Sequence, residues 1–360
     1  MQTQIRLILT GGGTGGHIMP NLALIEEFRS HNDIKFLYIG GRKSMEKVMS
    51  AENNIPFKSI FCGKLRRYFS LKNFIDPIFI FLGFIQSLFF INKFKTDVVF
   101  AKGGFVSVPV VLAAKVLGKK IVLHESDLVP GLANRICARF ASKILVAYKE
   151  SADFFKKDVE VVGNPVRKII TNGNKKKGLQ ITDLTGNKPV LLAMGGSQGA
   201  GFINDIIWDN LDLLLSKYEI IHICGKDKSK NRKEIEVILG SEDKHLAKNY
   251  ISYDFVKEEL AHLYAACDLI ISRAGAMSLA EIMAVDKPAI LIPLSKKVSR
   301  GDQIDNALAF ANEYNGFVME EDEFDLVKFL QKCEELLKQK KKSNKKQNAV
   351  KSIINILKNL

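Results

Sequence analysis

Cysteine is scarce and scattered. The five cysteines (Cys62, Cys137, Cys224, Cys267 and Cys333) form no CxxC pair, which argues against a disulfide framework or a zinc module and fits a reducing cytoplasm. The opening MQTQIRLILT has no basic segment followed by a cleavable apolar run, so a secretion leader is not expected. There is no GxxxxGK[ST] phosphate loop and no DxD pair to hold a divalent ion. The acidic run EEDEFD near Glu320 lies apart from the glycine-rich segments. No metal ion and no cofactor is therefore expected. No repeat of solenoid period occurs either.

What is present is a globular composition. The chain has 360 residues, 47% hydrophobic and 26% charged, a length suited to two domains and a polarity unlike that of disordered or fibrous chains. Lys and Arg outnumber Asp and Glu by 53 to 39, a net charge of +14. That excess favours an anionic partner: nucleic acid, an acidic membrane surface or a phosphorylated substrate. Nucleic acid is the weakest of the three, because no recognition motif is present. The basic residues gather around a hydrophobic segment and a C-terminal tail instead of interleaving with stacking aromatics.

The two halves read alike. In the first, IRLILT precedes GGGTGGH, IKFLYIG precedes GR, DVVFA precedes KGGF, and KIVLHE follows. In the second, PVLLAM precedes GGSQGAG, EIIHIC precedes GK, DLIIS precedes RAGA, and AILIPL follows. Continuous apolar strands alternating with helices imply α/β architecture, with parallel sheets covered on both faces. Two in series imply two Rossmann-like domains facing across a cleft. The turn at Gly163, Asn164 and Pro165, followed by TNGNKKKG, suggests domains over 1–163 and 164–340. The basic segment 341–360 is expected to be a helix packing back on the N-terminal domain.

The loop Gly11–Gly16 matches GxGxxG at Gly11, Gly13 and Gly16. A dinucleotide site would also need a carboxylate at the end of the second strand. Ile39, Gly40, Gly41 and Arg42 stand there instead. A tight strand-to-helix turn is the plain alternative, yet six glycine-dominated residues exceed what a turn needs. An anion held by backbone amides at the following helix is the better reading. Gly195–Gly201 repeats the device and adds Ser197 and Gln198. Together the loops suggest a diphosphate ligand and a separately held second substrate. In SRAGAMSLAEIMAV, Glu281 either accepts both hydroxyls of a ribose or merely caps a helix start. Asp302 and Gln303 carry the same ambiguity.

One stretch, Phe74 to Ile91, approaches the length of a membrane span. Asp76, Pro77, Gly83, Gln86 and Ser87 interrupt it. Phe74, Ile78, Phe81, Ile85 and Leu88 recur at helical spacing as one stripe. Lys64, Arg66, Arg67 and Lys72 precede it, and Lys93 and Lys95 follow. A core helix explains the stripe without the basic flanks. A helix lying on an anionic membrane surface explains both.

In their order, GGGTGGHIMP, KGGFVSVPVVLAA, HESDLVPGLANR, VVGNPVR, GGSQGA and SRAGAMSLAEIMAVDKPAILIPL resemble the MurG family of UDP-N-acetylglucosamine transferases. The resemblance runs from Gly11 to Asn306. It implies a GT-B fold and an inverting transfer of N-acetylglucosamine from UDP to the 4-hydroxyl of the muramyl sugar in lipid I, the undecaprenyl-diphosphate-linked MurNAc-pentapeptide. The product is lipid II of peptidoglycan synthesis, made at the cytoplasmic face of the inner membrane by a peripheral enzyme. The donor is expected mainly on the C-terminal domain and the acceptor on the N-terminal one.

The resemblance places Thr14, Gly15 and Gly16 beside the donor diphosphate and reacting sugar. It makes Arg167, Ser197 and the run Ala276, Met277, Ser278, Leu279 and Ala280 donor contacts. Glu281 falls on the ribose, Gln303 near the sugar and Val256 toward the uracil. Asp127 departs from the pattern: many relatives have HEQN where this chain has HESD. A carboxylate there still accepts a sugar hydroxyl but cannot donate to it.

Such a transfer needs a base for the acceptor hydroxyl and stabilisation of departing UDP. Glycine-loop amides, helix N-termini and Arg167 suit the second task. His17 is the first candidate for the base, on the expectation of an imidazole titrating near neutrality; holding the loop is its alternative role. Glu125, with His124 beside it, is the second candidate. A UDP-sugar epimerase of the same fold is the competing activity.

Overall fold

The computed structural model describes residues 4–63, 72–195, 199–297, 299, 301–339 and 348–360; at 72–75 it describes the backbone alone. Ser197 and Gln198, and the basic residues Lys64, Arg66 and Arg67, lie outside the described residues, as do the side chains of Lys72 and Phe74. The chain divides into two compact units, Met1–Arg167 with Gln347–Leu360, and Lys168–Lys346. The division falls at Arg167, so the NPVR segment goes with the first unit.

The first unit holds a seven-stranded parallel sheet. Its strands are β1 (Ile5–Thr10), β2 (Ile34–Gly41), β3 (Phe57–Ile60), β4 (Val98–Ala101), β5 (Lys120–Glu125), β6 (Lys143–Val146) and β7 (Val159–Val161), in the order β3-β2-β1-β4-β5-β6-β7. They are apolar on both sides because helices cover both faces. Ile8, Val99 and Leu123 belong to one layer of the core, and Leu7, Phe100 and Val122 to the other. Register follows from this two-sided burial: Leu7 pairs with Phe36 on one side and Val98 on the other.

The C-terminal helix Ala349–Lys358 closes one of these layers. Ile353, Ile354 and Leu357 are buried with Leu22, Ile25 and Phe28 of the Gly15–Phe28 helix. Burial of such side chains contributes about 1.5–3 kcal/mol each. Lys358 also pairs with Asp33 at 2.7 Å.

The second unit repeats the plan with six strands, β8 (Val190–Met194), β9 (Glu219–Ile223), β10 (Tyr250–Tyr253), β11 (Leu269–Ser272), β12 (Ala289–Leu291) and β13 (Gly316–Val318), ordered β10-β9-β8-β11-β12-β13. In each sheet the chain runs outward from its first strand, then returns to that strand's other side. The switch points therefore lie between β1 and β4 and between β8 and β11. Ligands of doubly wound sheets bind at the carboxyl ends of strands at such points. The first glycine loop sits at one of them, and the described ends of the second, Gly195 and residues 199–201, follow β8.

The Lys72–Phe94 helix corrects the expected stripe. Ile78, Phe81, Leu82, Ile85 and Phe89 are exposed, Phe81 by 61% and Phe89 by 58%. Leu88 instead packs on the core together with Phe84, Phe90 and Phe94. The helix is apolar on most of its circumference, so spacing alone could not orient it. Gly83 does: a Cβ there would lie 2.0 Å from the Phe61 carbonyl oxygen, so this face lies against the Phe61 backbone. By length and composition, Asp76–Phe94 is long and apolar enough to cross a membrane.

Candidate active site

The first glycine loop is held from beneath. The buried Tyr38 hydroxyl donates to the Gly11 carbonyl at 2.6 Å and accepts from Asn21 Nδ2 at 3.1 Å. Gly12 N–H donates to the Gly103 carbonyl at 3.3 Å. Gly104 has φ +79°, and a Cβ there would come within 2.2 Å of the Gly12 carbonyl oxygen, so only glycine fits. Glu46, buried below the loop, accepts from Gly41 N–H at 2.9 Å and Gly13 N–H at 3.4 Å. Sequence reasoning missed Glu46 because its role depends on β2 lying beside β1.

Thr14 occupies the N-cap of the Gly15–Phe28 helix in extended conformation, but its side chain does not cap the helix. Its hydroxyl instead lies 3.1 Å from His17 Nδ1. With no acidic residue in the first turn, the initial amides of this helix suit an external anion. His17 departs from the sequence expectation in one respect. Burial and the nearby Lys102 charge push its pKa down to about 4, partly offset by the Gly12 carbonyl. The imidazole is thus unprotonated at neutral pH, and available as a base, but titrates well below neutrality.

Glu125 is tied down at both oxygens. Oε1 accepts from Ser126 N–H at 2.7 Å and Asp127 N–H at 3.0 Å. Oε2 accepts from Asn134 Nδ2 at 2.8 Å and Gly131 N–H at 3.3 Å. Burial, and secondarily Asp127, raise its pKa to about 7 against the pull of Lys102 and these donors. Four bonds make this carboxylate the organiser of the 126–131 segment, which presents the half-buried Asp127. His124 is fully buried, with Nε2 2.8 Å from the Gly163 carbonyl. A carbonyl only accepts, so Nε2 carries the proton. Burial and Lys102 hold the ring neutral, and its role is to join β5 to the turn after β7. Lys102, absent from the sequence expectations, ends β4 with its ammonium buried against the Ser126 hydroxyl.

The second unit builds its loop from neutral groups. Gly199 has φ +76°, and a Cβ there would lie 2.5 Å from the Cys224 carbonyl oxygen. Beneath it runs a chain whose direction follows from donor inventory. Trp208 Nε1 can only donate, to the Tyr250 hydroxyl at 3.0 Å. Tyr250 then donates to His222 Nδ1 at 2.9 Å, His222 Nε2–H to Asn204 Oδ1 at 3.0 Å, and Asn204 Nδ2 to the Cys224 carbonyl at 3.0 Å. Burial lowers the His222 pKa to about 3, consistent with a neutral ring that donates once and accepts once.

The third constellation gains definition. Gly275 is the N-cap of the Ala276–Val285 helix, so Ala276, Met277 and Ser278 carry its first free amides and Leu279 and Ala280 follow. No acidic residue lies in the first turn. Glu281 comes later, which removes the capping alternative. It accepts from the buried Tyr264 hydroxyl at 3.1 Å, a partner not anticipated from sequence. Gln303, near the start of the Asp302–Glu313 helix, accepts through Oε1 from Leu294 N–H at 3.1 Å, fixing the loop after β12.

Arg273, buried, donates to the Ile292 and Pro293 carbonyls at 3.0 and 3.2 Å and pairs with Glu321 at 2.5 Å. The acidic run thus reaches the end of β11 after all, through Glu321. Val256 is half-buried in the loop after β10, beside the exposed Phe255. Arg167 Nε is buried without a hydrogen-bond partner. Among the described residues, no three His, Cys, Asp or Glu side chains gather as a metal site.

Two doubly wound parallel sheets in series, with glycine-rich segments after their first strands, define a protein of GT-B fold class. Residues 7–146 match the glycosyltransferase family 28 N-terminal domain and residues 190–360 its C-terminal domain. A Clostridium botulinum (strain Alaska E43 / Type E3) protein named UDP-N-acetylglucosamine--N-acetylmuramyl-(pentapeptide) pyrophosphoryl-undecaprenol N-acetylglucosamine transferase is 46% identical over 99% of this chain and 93% of its own length. A Legionella pneumophila (strain Lens) protein of the same name is 44% identical over 96% and 92%. The crystal structure of Acinetobacter baumannii MurG superposes with a TM-score of 0.76 at 22% identity, covering 99% of this chain and 100% of that one. The chain belongs to glycosyltransferase family 28 and, within it, to the MurG family.

Proposed function

We propose that this protein transfers N-acetylglucosamine from UDP-N-acetylglucosamine to the 4-hydroxyl of the muramyl sugar of lipid I, giving lipid II with inversion at the anomeric carbon. The observation that carries this reading is near-full-length similarity, 46% over 99% of the chain, to a relative named for that transfer. It favours transfer over the epimerase alternative.

In this reading the second unit supplies the donor contacts. Glu281, braced by Tyr264, accepts the ribose hydroxyls. The first-turn amides from Ala276 onward and the Gly195–Gly201 loop neutralise the diphosphate, while Gln303 meets the sugar and Val256 the uracil. Arg167, at the end of the first unit, serves the same anion through its guanidinium. The first unit supplies the acceptor side. Thr14, Gly15 and Gly16 present free amides to the anionic reacting groups, and Asp127 accepts a sugar hydroxyl. His17, unprotonated at neutral pH, takes the acceptor proton. The four donors on Glu125 favour His17 over it as base. UDP leaves with its charge spread over amides and Arg167.

The exposed face of Ile78, Phe81, Leu82, Ile85 and Phe89, with Lys93 at its end, docks peripherally on an anionic membrane at the cytoplasmic face. The apolar side chains enter the interface and each nearby cation adds about 1 kcal/mol. Labelled UDP-N-acetylglucosamine incubated with a lipid I analogue tests the central reading. Disaccharide product is expected. Its absence with folded protein defeats the reading, and an epimer formed from donor alone points to the alternative.

A further inference from the structure

Lys102 is a buried cation that no expectation employs. Its side chain is 1% exposed, and charged side chains are almost never fully buried unless paired. Two loops meet on it. Its ammonium contacts the Ser126 hydroxyl of the 125–131 segment. Its Cβ lies under Gly11, where a Cβ on that glycine would be 2.9 Å away. The adjoining Gly103 carbonyl receives Gly12 N–H at 3.3 Å. The charged groups gathered here are Lys102 at the end of β4, Glu125 and Asp127 at the end of β5, and Glu46 beneath the glycine loop; His17 and His124 are the imidazoles. Lys102 places its positive charge against Glu125 and Asp127.

We propose that Lys102 is a positioning residue of the transfer reaction: its buried side chain, with the stem against Gly11 and the ammonium on the Ser126 hydroxyl, ties the Glu125–Asp127 segment to the Gly11–Gly16 loop and holds a positive charge near the His17 imidazole. This rests on the reading of His17 as base. The physical logic has two parts. First, removing the ammonium takes away the contact on the Ser126 hydroxyl and a positive charge beside Glu125 and Asp127, which loosens the 125–131 segment against the loop. Second, a cation beside an imidazole disfavours protonation of the ring. Lys102 lowers the pKa of both His17 and His124, so His17 stays a competent base in mildly acidic conditions. Burial in turn lowers Lys102 itself to about 8 against the pull of Glu125 and Asp127, which leaves it mostly charged at neutral pH.

The test uses full-length protein and the variants Lys102→Gln, which keeps a polar stem, Lys102→Met, and Lys102→Arg, which keeps the charge. Thermal unfolding identifies the folded variants. Histidine-labelled protein, with the His17 signal assigned by its loss in His17→Ala, is titrated by NMR. In the parent, His17 is expected to remain neutral down to about pH 5.5; in the neutral variants its midpoint rises by about one pH unit or more. Lys102→Arg is expected to keep the parent behaviour. The acid limb of kcat/KM moves up by the same amount in the neutral variants, with kcat down about tenfold or more.

An unchanged His17 titration in whichever neutral variant folds overturns the proposal, as do superimposable acid limbs. Failure of the parent to make disaccharide instead sinks the functional reading, while the titration still judges Lys102.

Discussion

The two units share a topology and differ in what they place at the same point. At the β1/β4 switch the first unit gathers ionisable groups: His17, Lys102, His124, Glu125 and Asp127. In the second unit the groups near the end of β8 are mostly fixed dipoles, the Trp208–Tyr250–His222–Asn204 chain on the β9/β10 side beneath Gly199; its charges are an Arg273–Glu321 pair at the end of β11 and a carboxylate, Glu281, braced by Tyr264. Under the proposed function, this contrast is a division of labour. A proton-transfer site needs groups whose charge can change. A site for a fixed diphosphate and ribose needs amides and oriented dipoles that stay as they are. The surfaces differ too. The first unit concentrates exposed apolar residues on one helix face, whereas those of the second, such as Leu213, Val237, Phe255 and Val327, are scattered.

The sharpest way to break this comparison is His17→Ala. Turnover should fall about 10²- to 10⁴-fold with donor affinity retained. A loss below tenfold in a single-turnover assay would mean that the first unit does not supply the base. Next comes the surface contrast. Phe81→Asp with Phe89→Asp should cut sedimentation with anionic vesicles by about tenfold or more, since each buried aromatic contributes about 1.5–3 kcal/mol. Because both side chains are exposed, the melting temperature should hardly move. Equal sedimentation of parent and variant removes the docking face.

Tyr264→Phe tests the braced carboxylate. The loss of a hydrogen bond to a charged group costs about 1.5–3 kcal/mol, so KM for UDP-N-acetylglucosamine should rise roughly tenfold with kcat little changed. Discrimination against the 2′-deoxyribose donor should shrink, and unaltered discrimination would detach Tyr264 from ribose reading. A further contrast concerns pH and stability, not catalysis. His222 has a folded pKa of about 3 against about 6.5 unfolded. The unfolded chain binds the extra proton between these values, so this contribution to stability is full above about pH 6.5 and is lost as pH falls toward 3. The slope is about 1.4 kcal/mol per pH unit. His222→Gln should flatten that part of the denaturation curve between pH 6.5 and 5; an unchanged slope refutes the assignment.

Much of the fold was legible because both signals are local. Runs such as VLLAM and IRLILT are apolar throughout, as only doubly covered strands can be, and glycine follows where the chain must turn into a helix. Glu281 and His17 were candidates from the segments in which they stand, and the roles assigned to them remain part of the proposed function. Sequence spacing put Leu88 on the exposed stripe and left out Phe89, whereas the structure packs Leu88 on the core and exposes Phe89, because a helix apolar nearly all round gives no phase. Only the close approach of Gly83 to Phe61 orients it. Glu46, Lys102, Tyr264 and His222 were invisible because each works on a residue distant in sequence, from a neighbouring strand or helix.

The sequence by itself determined the doubly wound architecture, the two anion-ready loops and the family, since strand periodicity, turn glycines and motif order are properties of contiguous residues. Tertiary structure alone decided which face of the Lys72–Phe94 helix meets solvent, that Glu125 spends both oxygens on its own loop, and that a lysine is buried beside His17. Those outcomes depend on dielectric, hydrogen-bond geometry and steric approach, which exist only once distant segments pack together.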